Sequence, residues 1–214
     1  MKIELVKSPV VFDEAAHTYT MPDGAQLMGI TGMLKRQLFP EKYSEVPLFV
    51  LEKAKERGHR IHKDIEDADK TGFMPETFEG QSYESLRESA AYDCIANEYT
   101  VSDEAVYASN IDCVWQSRID DSIALVDIKT TYELDEEYVS WQLSIYAYLF
   151  ELQNPTLKVS DLYACWLYKS NKRCKTELVH VPRKPIDEVT LLLHCEYYGM
   201  RYLERKEYIN NLTN

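Results

Sequence analysis

Two strand-like runs separated by a few polar residues constrain this chain most: Ala105 to Gln116, and Ser122 to Lys129, with a turn around Arg118 to Asp121. Both are rich in β-branched and aromatic residues, and runs of this kind joined by so short a turn pair as an antiparallel hairpin. Side chains alternate along Ile123 to Lys129, so Asp127 and Lys129 emerge on one face while Val126 and Ile128 point to the other. A symmetric register about the turn at 119–120 sets residue 112 opposite residue 127. Directly opposed side chains have Cβ atoms about 4.5–5.5 Å apart, so Asp112 is expected to face Asp127. Two carboxylates that close repel unless a cation lies between them, and all-oxygen ligation calls for Mg²⁺ or Mn²⁺. The carbonyl of Ile128 is a further oxygen ligand within reach. This is the layout of metal-assisted phosphodiester hydrolysis: an ion lowers the pKa of an attacking water, while Lys129 orients or helps deprotonate that water and offsets charge on the phosphate.

The rest of the chain supplies helices around this hairpin. Val10 to Thr20 and Ala25 to Ile30, across Pro22-Asp23-Gly24, read as an N-terminal hairpin, followed by a short helix from Thr31 to Leu38. Apolar or small residues at Leu51, Ala54, Gly58, Ile61, Ile65 and Ala68 recur at helical steps and predict an amphipathic helix from Pro47 to about Ala68. After a loop around Gly72 to Gly80, Ser82 to Glu98 reads as a second helix and Asp135 to Leu152 as another, ended by Asn154-Pro155. Leu162 to Tyr168 with Thr176 to Val181 forms a hairpin around Ser170-Asn171, and a last helix covers Ile186 to Tyr208. The expectation is one α+β, α/β/α-like domain over 1–214: a small central mixed sheet carrying the Asp112 to Lys129 hairpin, flanked by helices.

Composition narrows the function. Hydrophobic residues make up 45% and charged residues 28%, with 16 Tyr and 6 Phe, so the chain should fold. The net charge of −12, from 24 Lys and Arg against 36 Asp and Glu, disfavours a surface that embraces nucleic acid as a whole. Phosphate contacts must then be local, and two basic strips offer themselves: Lys53, Lys55, Arg57, Arg60 and Lys63, and Lys169, Lys172, Arg173, Lys175, Arg183 and Lys184. Five cysteines without a C-x-x-C pair suggest neither a disulfide framework nor a zinc ribbon. No stretch has the length of a membrane span or a signal peptide, so a soluble cytoplasmic protein is expected.

Asp112, fourteen intervening residues, then Asp127-Ile128-Lys129 resembles the PD-(D/E)xK nuclease superfamily. Gly58-His59-Arg60-Ile61-His62 looks like the upstream G-x-x-x-H of its RecB-like, phage-type exonuclease branch, and Gln142 with Tyr146 matches the Q-x-x-x-Y that follows. The resemblance spans roughly 54–182 and implies a restriction-endonuclease-like core. It assigns Asp112, Asp127 and Lys129 to catalysis and His62, Asp112, Asp127 and the Ile128 carbonyl to the metal. It also gives Gln142 and Tyr146 contacts to the site and the nucleic-acid backbone. A helix running close to the sheet would give Gly58 its reason, since glycine costs about 1 kcal/mol against alanine inside a helix. Glu104 shares the face of Asp112 if the strand is unbroken, and relatives often carry an acid hereabouts. Arg57, Arg60, Lys172 and Arg173 are further candidates for phosphate contact. Ser109-Asn110 stands where the family often has glycine before the first Asp, and Cys165, Cys174 and Cys195 lack the spacing for the iron–sulfur cluster of some members, so no cluster is expected.

The reading at this level is a Mg²⁺- or Mn²⁺-dependent deoxyribonuclease, an exonuclease acting on DNA ends in phage or mobile-element recombination, replication or repair. A homo-oligomer or a recombination partner protein is open. An endonuclease or transposase-like cleavage subunit on the same site, and a nucleic-acid-binding module without turnover, are the alternatives.

Overall fold

The computed structural model describes residues 2–213. Three short strands open the chain, β1 (Val11–Asp13), β2 (Thr18–Thr20) and β3 (Gln26–Gly29), followed by α1 (Ile30–Gln37) and the long α2 (Leu48–Thr71). Then come α3 (Phe78–Ser89), β4 (Tyr92–Ser102), β5 (Tyr107–Ser117), β6 (Ile123–Lys129), α4 (Glu136–Gln153), β7 (Val159–Lys169), β8 (Cys174–His180), α5 (Ile186–Tyr197) and α6 (Tyr202–Thr213). Among the described residues this is an α+β arrangement of six helices and a mixed sheet of eight strands, larger than the small sheet expected from sequence. Among the described residues no helix is long and apolar enough to cross a membrane.

The sheet lies between two helical layers. On β6, Ile123 and Leu125 pack with Val139, Leu143 and Phe150 of α4 and with α1 and α5, while Ala124, Val126 and Ile128 pack with Ile61 and Ile65 of α2 and Tyr83 of α3. The period-two alternation of the strand thus serves both cores at once. Only Ile61 and Ile65 of α2 are fully buried, each contributing about 1.5–3 kcal/mol, so this helix touches the body through its middle and leaves Leu48 to Lys55 largely in solvent.

Two features fix α2 where the site needs it. Asp64 accepts hydrogen bonds from the backbone of Glu76 and Thr77, each at 2.9 Å, and from the Thr77 hydroxyl at 2.5 Å, tying the loop after α2 back onto the helix. Thr77 in turn caps α3 through Gly80 N–H at 3.0 Å. A Cβ at Gly80 would stand 2.5 Å from Pro75 Cβ and 2.6 Å from Asp64 Oδ2, so glycine is demanded there. Gly58 is different: its Cβ would meet Thr130 Oγ1 at 3.5 Å, an ordinary contact, and helix-to-sheet approach does not explain it.

Two sequence expectations fail. The helix placed at Ser82 to Glu98 ends at Ser89, and Tyr92–Ser102 is the strand β4, paired along most of β5. Tyr92, Ile95, Tyr99, Thr100 and Val101 supply the β-forming residues, and Ala91 makes the turn with φ 60°. The C-terminal helix is two helices, broken by Gly199 in the left-handed region at φ 66°.

Candidate metal centre

A fork in the sheet builds the site. β4 occupies one edge of β5 from Ser117 back to Ala108. On the other edge β3 pairs only with Tyr107 and Ala108, and β6 only with Cys113 to Gln116. Residues 109–112 therefore have no strand beside them on that edge. The β5–β6 register is the symmetric one expected, with Cys113 opposite Val126. Beyond that pair the strands part, and Asp112 does not simply confront Asp127. Its carboxylate spans the fork and accepts the Ile128 N–H at 2.7 Å.

Three further groups converge on Asp112. His62, reaching in from α2, lies 3.8 Å from Asp112 Oδ2 and 3.8 Å from Glu98 Oε1 through Nδ1, while its Nε2 is 3.2 Å from the Ile128 carbonyl oxygen. One ligand atom from each of His62, Glu98 and Asp112 falls within 4.8 Å of the others. Adjacent ligands of an octahedral ion bound at 2.0–2.1 Å stand about 3 Å apart and opposite ones about 4 Å. His62, Glu98 and Asp112 thus form a group of nitrogen and oxygen donors that could hold a metal ion, with the Ile128 carbonyl at the other ring nitrogen of His62.

Glu98 is the functional candidate that sequence reasoning missed. It stands opposite Asp112 on β4, between the pairs Asn97↔Cys113 and Tyr99↔Ile111, and leaves the ladder with φ 47°. A non-glycine residue in this region costs of order 1–3 kcal/mol. Glu104, the acid proposed from sequence, does not join the site. The strand starts only at Tyr107, and Glu104 sits exposed at φ 57° in a turn whose N–H groups at 105, 106 and 107 are gathered by Asp103 Oδ1.

Asp127 and Lys129 emerge together on the α4 side, as alternation requires. Asp127, with 3% of its side chain exposed, meets Lys129 Nζ at 2.7 Å. This is an ion contact without hydrogen-bond alignment, and Asp127 Oδ2 has no hydrogen-bond partner among the described residues. Lys129 Nζ donates to Gln142 Oε1 at 3.2 Å, and Gln142 Nε2 donates to the Tyr146 hydroxyl at 3.0 Å. Gln142 and Tyr146 are buried, and Gln142 links Lys129 to the Tyr146 hydroxyl.

Burial and charge set the protonation of these groups. Burial pushes the Asp127 carboxyl up to about 6, Lys129 pulling it down and Asp112 adding to the rise. Burial likewise raises Asp112, opposed by His62 and reinforced by Glu98. Burial works to lower His62, but Asp112 and Glu98 outweigh it and lift the imidazole to about 9. Against the same burial effect, Asp127 and Asp112 raise Lys129 above its ordinary range. Lys129 is therefore held as an ammonium between these carboxylates.

A cleft of about 560 Å³ opens onto His62, Glu98 and Asp112. Phe12, Glu14, His17 and Tyr19 of the β1–β2 hairpin form one wall, and Lys55, Gly58, His59, His62, Lys63 and Glu66 of α2 the other. Ser109 and Asn110 lie on the floor and Gln142 and Tyr146 at the back, with Asp127 and Lys129 behind this lining. Of the cationic candidates, Arg57 is committed elsewhere: it donates to the Thr130 carbonyl at 2.9 Å, pairs with Glu79 and stacks at 5.1 Å on Tyr168. Arg60, Lys172 and Arg173 do not line the cleft, and Arg173 lies over the rings of Tyr132 and Trp166. Lys55 and Lys63, from the same basic strip as Arg57 and Arg60, are the lysines that do. Neither a model of a known protein family nor a curated protein sequence matches the chain.

Proposed function

We propose that this chain is a divalent-metal-dependent nuclease with a restriction-endonuclease-like core, hydrolysing DNA phosphodiester bonds from strand ends. The observation that carries the reading is the fork between β5 and β6. There His62, Glu98 and Asp112 bring one ligand atom each within 4.8 Å of the others, with the Ile128 carbonyl against the His62 ring and a buried Asp127–Lys129 pair beside them. A bound Mg²⁺ or Mn²⁺ would supply a Lewis acid for the phosphoryl oxygens and an activated water.

The protein's own groups do the rest. Asp112 would hold the ion and, through Ile128 N–H, keeps β6 aimed so that the Ile128 carbonyl faces His62. Asp127 holds the Lys129 ammonium from one side and Gln142 from the other, with Tyr146 fixing Gln142. Lys129 then offers a preorganised positive charge to the phosphate as negative charge grows on it, a contribution worth about 10²–10³ in rate when one such donor is removed.

Digestion of end-labelled linear and covalently closed circular DNA with Mg²⁺ or Mn²⁺ tests the reading. Metal-dependent loss of linear DNA, absent on circles and abolished in Lys129→Ala and Asp127→Asn, is expected. Cutting of circles would make the enzyme an endonuclease, and no cleavage of any DNA by folded wild type would remove catalysis from the account.

A further inference from the structure

The β1–β2 hairpin carries a cluster of rings that the metal site does not use. Phe12 stacks on Tyr19 with centroids 4.7 Å apart and planes 25° from parallel, and His17 meets Phe12 edge-on at 5.4 Å. Tyr19 is buried, 3% exposed, and its hydroxyl borders on Ser109 of β5, so it anchors the hairpin to the cleft floor. Phe12 is half-buried: one face lies on Tyr19 and the remainder of its ring lines the cleft. His17 is exposed, held at φ 51° in the turn that Asp13 closes by accepting the Ala16 N–H at 2.9 Å.

Across the cleft from these rings stands α2 with Lys55, His59 and Lys63. The two walls approach each other where the exposed Glu14 and His59 side chains stand 3.6 Å apart, Oε1 to Nδ1. A base inside a duplex has both faces covered by its stacked neighbours, so only an unpaired or drawn-out base can lie on a ring such as Phe12. A cleft of about 560 Å³ is also of the size that encloses a ligand of nucleotide dimensions, roughly 300–1,000 Å³. Charge points the same way. A chain of net charge −12, with Glu14 and Glu66 also in the cleft wall, gains little from long-range attraction of a polyanion. Stacking of a base on an aromatic face is indifferent to both charge and sequence.

We propose that the β1–β2 hairpin selects unpaired strand: a single-stranded DNA end enters between it and α2, one base stacks on Phe12 with His17 at its edge, and the adjoining phosphate faces His62, Glu98 and Asp112. The inference rests on the nuclease reading and deepens it by naming the form of the substrate. Duplex DNA is then cut only where its end frays or a nucleotide is drawn out of the stack.

The test uses a short single strand carrying a fluorescent purine analogue near its end, and the same sequence as a blunt duplex. Binding is followed by fluorescence quenching and anisotropy in the Lys129→Ala background with Mn²⁺, and cleavage in the otherwise wild-type chain. Phe12→Leu keeps apolar volume against Tyr19 but removes the ring face, and Phe12→Tyr keeps the ring. The single strand is expected to bind with quenching and the duplex far more weakly. Phe12→Leu is expected to lose about 5- to 100-fold in single-strand affinity, with Phe12→Tyr within about twofold of the parent. Equal binding of strand and duplex, or full affinity and quenching in Phe12→Leu, would overturn the proposal. Cleavage of both substrates alike with Phe12→Leu unaffected would sink it while the nuclease reading stands. Ring-dependent single-strand binding without cleavage would support the strand-selecting wall while removing the nuclease reading.

Discussion

Two clusters of metal-ligating side chains lie on the same pair of strands, and they differ in almost every respect that matters. His62, Glu98 and Asp112 border an open cleft. Asp69, Cys94 and Cys113 are as close together, but in the interior beneath α3. In the second cluster Asp69 is already satisfied: Tyr83 OH donates to it at 3.0 Å, Asn97 Nδ2 at 2.7 Å, and Arg87 stands 3.8 Å away. Trp115 Nε1 donates to the Tyr83 hydroxyl at 3.0 Å, completing the network. Burial, with Cys94 and Asp69 nearby, pushes the Cys113 thiol far up. At the cleft, three acids crowd together with one imidazole and one lysine, and a buried oxygen of Asp127 is left without a hydrogen bond. The difference teaches that the same ligand types can be spent in a closed, hydrogen-bonded network or left bordering open space, and only the second arrangement is open to an incoming ion.

Substitutions can sharpen that contrast. The largest effect is expected for Lys129→Ala, a loss of about 10²–10³ in the cleavage rate constant at saturating metal, with the fold intact by circular dichroism. Glu98→Gln should weaken Mn²⁺ binding by about 10-fold or more in a calorimetric titration, whereas Glu104→Gln, at an exposed turn, should leave affinity unchanged and stability within about 0.5 kcal/mol. In the closed cluster the readouts exchange places. Asp69→Asn should cost about 1–3 kcal/mol in urea unfolding by disturbing a buried network, with no change in Mn²⁺ affinity.

The smallest effect expected is in the pH dependence of stability. Asp127 and His62 both have folded-state values raised above their unfolded ones, to about 6 and about 9. Each therefore contributes stability that is fully present below its unfolded pKa and lost as pH rises through the folded one. The metal-free protein should accordingly lose stability between about pH 4 and pH 9. An ion binds the deprotonated groups, so the gain in Tm from added Mn²⁺ should widen by a few degrees over the same range. A gap that narrows with rising pH would contradict this assignment of the charges.

Much of this was legible in the sequence, for local reasons. The alternation in Ile123 to Lys129 and the short turn before it defined both the register, Cys113 against Val126, and the common face of Asp127 and Lys129. His62 was singled out by the resemblance in Gly58 to His62 and lies at the sheet because α2 buries Ile61 and Ile65 there, and the four-residue step placed Gln142 against Tyr146. Glu98 was hidden because no Gly or Pro marks the end of α3, so helical periodicity ran on into a strand. The aromatic hairpin was visible as a hairpin, but that it walls the cleft depends on β3 pairing with β5 in parallel, a contact between residues nearly eighty positions apart. Arg57 misled because a cation's commitment to a neighbour such as Glu79 is a matter of tertiary packing.

The central claim is that the open fork, and not the closed cluster, holds the ion. Titration of Mn²⁺ into the wild type, Asp112→Asn and Asp69→Asn, followed by electron paramagnetic resonance of the free ion, tests it most directly. Saturable Mn²⁺ binding in the wild type that disappears in Asp112→Asn and survives in Asp69→Asn is the expected result. Binding that survives in Asp112→Asn and is lost in Asp69→Asn would contradict the account, as would a wild type that binds no Mn²⁺.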